Sequence, residues 1–237
     1  MAGVVYLIPC PIDPEGEVYD VVPARNREII AQLDYFIVEN VRSARRFLSK
    51  AKIGKPIDGL EFVELNEHTL AGAAVEQMLR PVLEGRSAGI ISEAGVPAVA
   101  DPGALVVELC HKRGVRVVPL VGPSSIIMAV MAAGLNGQSF AFNGYLPIKE
   151  QERSKAIRFF ERRAITEHQT QLFIEAPYRN VKLWAQLLAT CAPTTRLTIA
   201  MDITAESEYI VTRSVAEWRK SGTPDLAKRP AIFAIGI

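Results

Sequence analysis

At 237 residues the chain has room for one large domain or two small ones, and either can bury a real core. Apolar residues at 49% and charged residues at 22% describe an ordinary globular protein, and a net charge of +1 excludes a polycation that holds nucleic acid by bulk charge alone. Cys10, Cys110 and Cys191 are scattered with no CxxC spacing, which points to reduced thiols and a cytoplasmic protein. No apolar run reaches the ~18 residues of a membrane span, and the stretch from Met1 to Gly16 has no basic leader, so neither a membrane anchor nor a signal peptide is expected.

In chain order, Val4–Pro9 reads as a short buried strand, and the NREIIAQLD segment has helical spacing. Tyr35–Asn40 reads as a strand, VRSARRFLSKA as a helix and FVELN as a strand. TLAGAAVEQMLRPVLEG reads as a helix opened by Thr69, bent at Pro81 and stopped by Gly85. Ser87–Ser92 is a strand of small and branched residues, ALVVELCHKRG a helix closed by Gly114, and VRVVPL a strand. Strands alternating with helices imply crossover connections and a mainly parallel sheet covered on both faces. The second half reads differently. SSIIMAVMAAGL is a small-residue helix, SFAFNGYLP a strand, and a basic helix follows. TQLFIEAP, RLTIAMDI, SEYIVTRSV and RPAIFAIGI are further strands, the last two read as neighbours, with YRNVKLWAQLLATC as a helix. Fewer helices between strands imply a mixed sheet. The expected architecture is α/β in two domains, residues 1–121 and 122–237.

Between two apolar runs lies ISEAGVPAVADPG, from Ile91 to Gly103, with two glycines, two prolines and two carboxylates. In a parallel sheet, ligands sit beyond the carboxyl ends of the strands. A Gly-rich and Pro-rich loop there is stiff and lets a ligand approach the main chain at Gly95. Glu93 and Asp101 can add charge-assisted hydrogen bonds, although Asp101 taken alone better suits a cap on the helix that follows. At Gly122–Pro123 a tight turn follows a strand, and Ser124 and Ser125 open a helix whose first amides can hold an anion or simply be capped. Glu39 and Arg42, then Glu175 and Arg179, stand at two more strand ends, where arginine can grip phosphate or form an ordinary ion pair. The usual dinucleotide, P-loop and nucleophile-elbow motifs are missing, and His68, His111 and His168 share no metal spacing, so no metal is expected. Two basic islands stand out. Arg25–Lys55 holds eight basic and three acidic residues, and Lys149–Arg163 six and three. Each is either a polyanion surface or a solvated helix face.

Taken together, these segments resemble the tetrapyrrole methylase superfamily of S-adenosylmethionine-dependent methyltransferases. Within it they are most similar to the bacterial branch that 2′-O-methylates a cytidine of small-subunit ribosomal RNA. Ser92-Glu93-Ala94-Gly95-Val96-Pro97 with Asp101-Pro102-Gly103 resembles that branch's Ser-Asp-Ala-Gly-x-Pro-x-x-x-Asp-Pro-Gly. Val117–Ser125, Ala132–Leu135 and Gly144–Pro147 follow in the family's order. Glu175–Arg179 resembles Glu-Ser-Pro-His-Arg, and Asn66–Glu67 and Glu39 with Arg42 match shorter pieces. The chain departs from the family where Pro-Thr-Pro-Ile-Gly-Asn-Leu is replaced by PCPIDPEG (Pro9–Gly16). It departs again where Glu-Asp-Thr-Arg becomes ENVR and where Ala-Arg-Glu-Leu-Thr-Lys becomes AMDITA (Ala200–Ala205).

The resemblance implies S-adenosylmethionine as cofactor, a cofactor cleft between two α/β domains, and a homodimer. It also implies a cofactor pocket lined by Pro9, Ser92, Glu93, Ala94, Gly95, Val96, Pro97, Ser124, Ser125, Leu146, Pro230 and Ala231, largely through main chain. Because the sulfonium already activates the methyl group, the protein has only to align it with the nucleophile and exclude water. A ribose hydroxyl must lose its proton, and Glu39, Glu67 or Glu175 can serve as base or orienter, with Arg42 and Arg179 on the substrate side. RNA is the expected partner. The alternatives are methylation of a tetrapyrrole or other small molecule, and a non-catalytic RNA-binding protein that keeps the fold.

Overall fold

The computed structural model describes residues 2–65 and 73–237. The chain divides into two compact units, Met1–Ser124 and Ser125–Ile237.

The first unit runs β1 (Val4–Ile8), α1 (Val18–Val21), α2 (Arg25–Ile30), β2 (Tyr35–Val38), α3 (Val41–Lys50), β3 (Glu61–Glu64), α4 (Ala73–Leu83), β4 (Ala88–Ile91), α5 (Gly103–Arg113) and β5 (Arg116–Pro119). Its five strands are all parallel in the order β3-β2-β4-β1-β5. Parallel neighbours need crossovers, and helices supply them on both faces. The strand pattern follows from that. Every residue of β2 and β4 is buried, so neither shows a polar face. Successive side chains of β2 serve opposite layers: Phe36 and Val38 join Ile8, Ile30, Phe47 and Leu48, while Tyr35 and Ile37 join Val5, Leu79, Ile90, Val106 and Cys110. Gly89 in β4 leaves room for its neighbours: a Cβ there would lie 2.5 Å from Ile8 Cδ1 and 2.9 Å from Phe36 Cδ1, so both side chains would have to shift. Gly114 closes α5 with φ +67°, as its sequence position predicts. Thr69, the expected opener of α4, lies outside the described residues.

The second unit runs α6 (Ser125–Ala133), β6 (Phe140–Tyr145), α7 (Glu150–Thr166), β7 (Thr170–Ile174), a short 3-10 turn (Pro177–Arg179), α8 (Asn180–Thr190), β8 (Arg196–Met201), β9 (Tyr209–Ser214), α9 (Val215–Ser221) and β10 (Ala231–Gly236). The sheet is mixed, in the order β6-β7-β10-β8-β9, with only β6 and β7 parallel. This corrects the expectation that the last two strands are neighbours. β8 and β9 pair with each other, and α9 carries the chain back so that β10 enters the slot between β7 and β8. All six residues of β10 are buried, while all six of β9 are half-buried, as a central and an edge strand should be. The helix α9 has no counterpart in the sequence reading. Its signal is the capping box in which Ser214 Oγ accepts from the Glu217 amide and the Glu217 carboxylate accepts from the Ser214 amide. Trp184 packs edge-on to Trp218 (centroids 5.1 Å) and stacks on Phe233 (6.3 Å) at the centre of this core.

Cys10, Cys110 and Cys191 are all buried and unbonded to one another. Burial pushes each thiol up, Cys110 to about 11. At pH 8 the folded protein is therefore expected to leave a thiol reagent unconsumed, while the unfolded chain consumes three equivalents. Because the folded-state values are raised, the thiols' contribution to stability is complete below the ordinary thiol value of about 8.5 and declines above it. A thiol titrating rapidly in the folded state contradicts this.

Candidate active site

Four strand ends of the first unit converge. The chain leaves β2 toward β3 but leaves β4 in the opposite direction, over β1 to β5, so the carboxyl ends of β2 and β4 flank a topological switch point. The loop after β4 is held there by three ties. The Cys10 amide donates to the Gly95 carbonyl (2.8 Å), which ties it to the end of β1. The Glu93 amide donates to Glu39 Oε2 (3.2 Å), which ties it to the end of β2. Ser43 Oγ on α3 donates to Glu93 Oε1 (3.3 Å). The end of β5 lies equally close: a Cβ on Gly122 would fall 2.2 Å from Pro9 Cγ, and a Cβ on Gly95 would fall 3.5 Å from the Pro123 carbonyl oxygen.

The loop keeps an unusual backbone. Gly95 takes φ +67°, and Ala98 and Ala100 take +66° and +57°, where a side chain is disfavoured. Asp101 enforces this shape. Its Oδ1 accepts from the Ala98 amide (3.1 Å) and the Gly103 amide (2.6 Å), so the carboxylate folds the loop and opens α5. Burial raises its pKa, and those two amides partly offset the rise. Among the described residues the amides of Ala94 and Val96 meet no acceptor. A shallow crevice opens beside the loop, walled by Cys10, Ser43, Arg46, Lys50, Ser92 and Glu93.

The expected residues of this unit fall into place unevenly. Pro9 is buried and Ser92 is 6% exposed, with its Oγ on the Ala94 carbonyl (3.4 Å). Gly95 and Pro97 are buried, Val96 is half-buried, and Glu93 and Ala94 are exposed. Glu39 is half-buried at the loop, and Arg42 is exposed on the first turn of α3. Glu67 lies outside the described residues. Ser124 and Ser125 are half-buried at the start of α6.

In the second unit the ends of β6, β7 and β10 lie side by side, since Tyr145 pairs with Ile174 and Ile174 with Ile232. Leu146, Glu175 and Pro230–Ala231 therefore meet at one edge of the sheet. Leu146 and Ala231 are buried in the same core, which leaves their main chain as the presented part. The Glu175 side chain is 0% exposed. Its Oε1 accepts from the Ala176 amide (2.8 Å), Arg179 Nε (2.8 Å) and Arg179 Nη2 (2.6 Å), while Oε2 is buried without a partner. The carboxylate holds the guanidinium, and the Arg179 pKa is raised in turn. Sequence reasoning missed Asp202 and Arg229, which join the end of β8 to the segment before β10. Asp202 Oδ2 accepts from Arg229 Nε (2.7 Å) and Ser207 Oγ (2.8 Å), on a backbone with φ +45° at Asp202 and +74° at Thr204. The AMDITA segment carried the only signal, as a departure from the family's residues.

A family model described as Tetrapyrrole (Corrin/Porphyrin) Methylases matches residues 20–218, and the chain belongs to that family. It is 30% identical over 216 residues to the Ribosomal RNA small subunit methyltransferase I of Vibrio cholerae, covering 91% of this chain and 70% of that one. It is likewise 30% identical over 215 residues to the protein of that name from Escherichia coli O157:H7, with the same coverage. Among solved structures it resembles the methyltransferase CobJ (TM-score 0.63, 16% identity, 99% of this chain and 94% of that one). It also resembles uroporphyrin-III C-methyltransferase from Thermus thermophilus complexed with S-adenosyl homocysteine (TM-score 0.58, 17% identity, 99% and 97%). At those identities the two structures speak for the fold alone.

Proposed function

We propose that this chain is an S-adenosylmethionine-dependent methyltransferase of the cytoplasm that modifies a ribose 2′-hydroxyl of small-subunit ribosomal RNA. The observation that carries the reading is 30% identity spanning 91% of the chain to a ribosomal RNA small subunit methyltransferase. Bound S-adenosylmethionine supplies a methyl group on a positively charged sulfur. The loop after β4 fits the hydrogen-bond acceptors of that cofactor, its carboxylate and its adenine nitrogens. The amides of Ala94 and Val96 point to no acceptor of their own, Gly95 brings bare backbone forward, and Asp101 keeps the loop rigid. Pro9, Ser92–Pro97, Ser124 and Ser125, and in the second unit Leu146, Pro230 and Ala231, are the proposed contacts.

Glu39 is the proposed acceptor of the hydroxyl proton. It is half-buried at the switch point, already oriented by the Glu93 amide, and a carboxylate accepts several donors at once. Arg179 is the proposed phosphate grip, and Glu175, sealed behind it, is the residue that positions it.

The test is incubation with labelled S-adenosylmethionine and small ribosomal subunits lacking their methyl groups, beside a tetrapyrrole panel. Label in a 2′-O-methylated nucleoside is expected; label in a tetrapyrrole alone sinks the substrate assignment. Glu39→Gln keeps an acceptor for the Glu93 amide. It is therefore expected to bind cofactor normally while turnover falls about 100-fold. Unchanged turnover removes Glu39 from the chemistry.

A further inference from the structure

We infer that the solvent face of α7 is a platform for single-stranded RNA, with three cations for phosphates and one fixed ring for a base. The inference rests on the RNA reading above and adds a surface to it.

α7 spans 17 residues. Lys155, Arg158 and Arg162 stand at i, i+3 and i+7, so they form one row about 10 Å long. All three are exposed, and none has a carboxylate partner among the described residues. The acids of the segment are engaged elsewhere or lie off the row. Glu152 pairs with Lys149 (3.6 Å), and Glu167 pairs with Arg163 (2.9 Å). Glu161 accepts from the Ala192 amide (2.7 Å) and from Thr195 Oγ1. Glu150 sits at the helix start, off the row. Arg153 is buried against Gln186 and takes no part. Three uncompensated charges thus stand in one row on a chain whose net charge is only +1.

On that strip Phe159 is 56% exposed. Its ring meets Phe160 edge-on (5.2 Å, 72°), and Phe160 meets the buried Phe173 (5.1 Å). The ladder anchors an exposed ring to the core. A rigid aromatic face beside spaced cations is what an unpaired strand requires, because each base has a flat face and each phosphate a charge. A duplex can use the cations but offers no free base to the ring. The first basic island differs in lacking such an exposed ring beside its cations: Arg45 is paired with Asp58 and lies over the half-buried Phe62 (5.7 Å), Lys50 donates to the Pro14 carbonyl (2.7 Å) and Lys55 to the Leu33 carbonyl (3.3 Å).

The experiment measures fluorescence anisotropy of the full chain with labelled, unstructured RNA of about 16 nucleotides and with a duplex of the same length. Removing all three charges (K155Q, R158Q and R162Q together) is expected to weaken single-strand binding at least tenfold near 0.1 M salt. It should also reduce the slope of log K against log salt by about 2, at roughly 0.7 per phosphate. Phe159→Ala is expected to weaken single-strand binding about tenfold with the slope unchanged and to spare the duplex. Circular dichroism and cofactor affinity should be unchanged in both. A wild-type slope in the triple variant overturns the phosphate assignment, and equal loss on single strand and duplex in Phe159→Ala overturns the stacking assignment. RNA bound and methylated at full affinity by both variants sinks the platform alone; no RNA binding by the parent protein sinks the RNA reading with it.

Discussion

Gly122→Ala is expected to abolish useful cofactor binding, lowering affinity for S-adenosylmethionine at least tenfold and stability by about 1–3 kcal/mol. A Cβ at this position would lie 2.2 Å from Pro9 Cγ and 2.3 Å from Pro9 Cβ, far inside contact distance. The pyrrolidine ring cannot rotate away. The Gly122 segment cannot easily retreat either, because the Val121 carbonyl is held by Asn26 Nδ2 (2.9 Å), and Asn26 is only 5% exposed. The displacement therefore falls on Pro9 and on its neighbour Cys10, whose amide holds the loop after β4 through Gly95. Gly59→Ala is the control, since a Cβ there meets nothing within 4 Å. Calorimetric titration with the cofactor reads the difference. Full affinity in Gly122→Ala means that the ends of β1 and β5 do not set the cradle.

Arg179→Ala is expected to destabilise the protein by about 3–5 kcal/mol in urea unfolding at neutral pH. Glu175 is sealed from water, and the guanidinium supplies two of the three donors to Oε1, while Oε2 has none. Taking the cation away leaves a carboxylate with one amide for company. Adding Glu175→Gln to the Arg179→Ala chain should recover a good part of the loss, since a neutral amide is far less costly to bury than an unpaired charge. Arg179→Lys should fall between, because an ammonium cannot reproduce the two-pronged contact. RNA affinity should drop in all three, so stability and recognition separate in the double variant. An Arg179→Ala protein as stable as its parent disproves the arrangement.

Local pattern carried most of the secondary structure. Short apolar runs broken by Gly and Pro located the strands, Gly114 ended α5 where its position said it should, and the Gly-rich loop stood out before any fold was known. Partnership was not legible in the same way. Nothing in AIFAIG names β7 and β8 as its neighbours, although its unbroken apolarity against the mixed YIVTRS did mark a central strand against an edge. The link from Glu39 to the Glu93 amide spans 54 positions and is a product of strand order. Left-handed backbone at Ala98 and Ala100 is invisible in residues that do not favour it. Asp101 was read with two possible duties, and the folded chain gives it the inward one: its Oδ1 ties two amides of its own loop.

β10, at residues 231–236, occupies the slot between β7 and β8, so a nascent chain emerging from the ribosome exposes two unpaired edges until those residues clear the exit tunnel. The first unit has all its strands by residue 119 and is free to fold while the rest is still being synthesised. A stalled or truncated product ending before Ala231 should therefore pair one folded half with one that sticks to its neighbours.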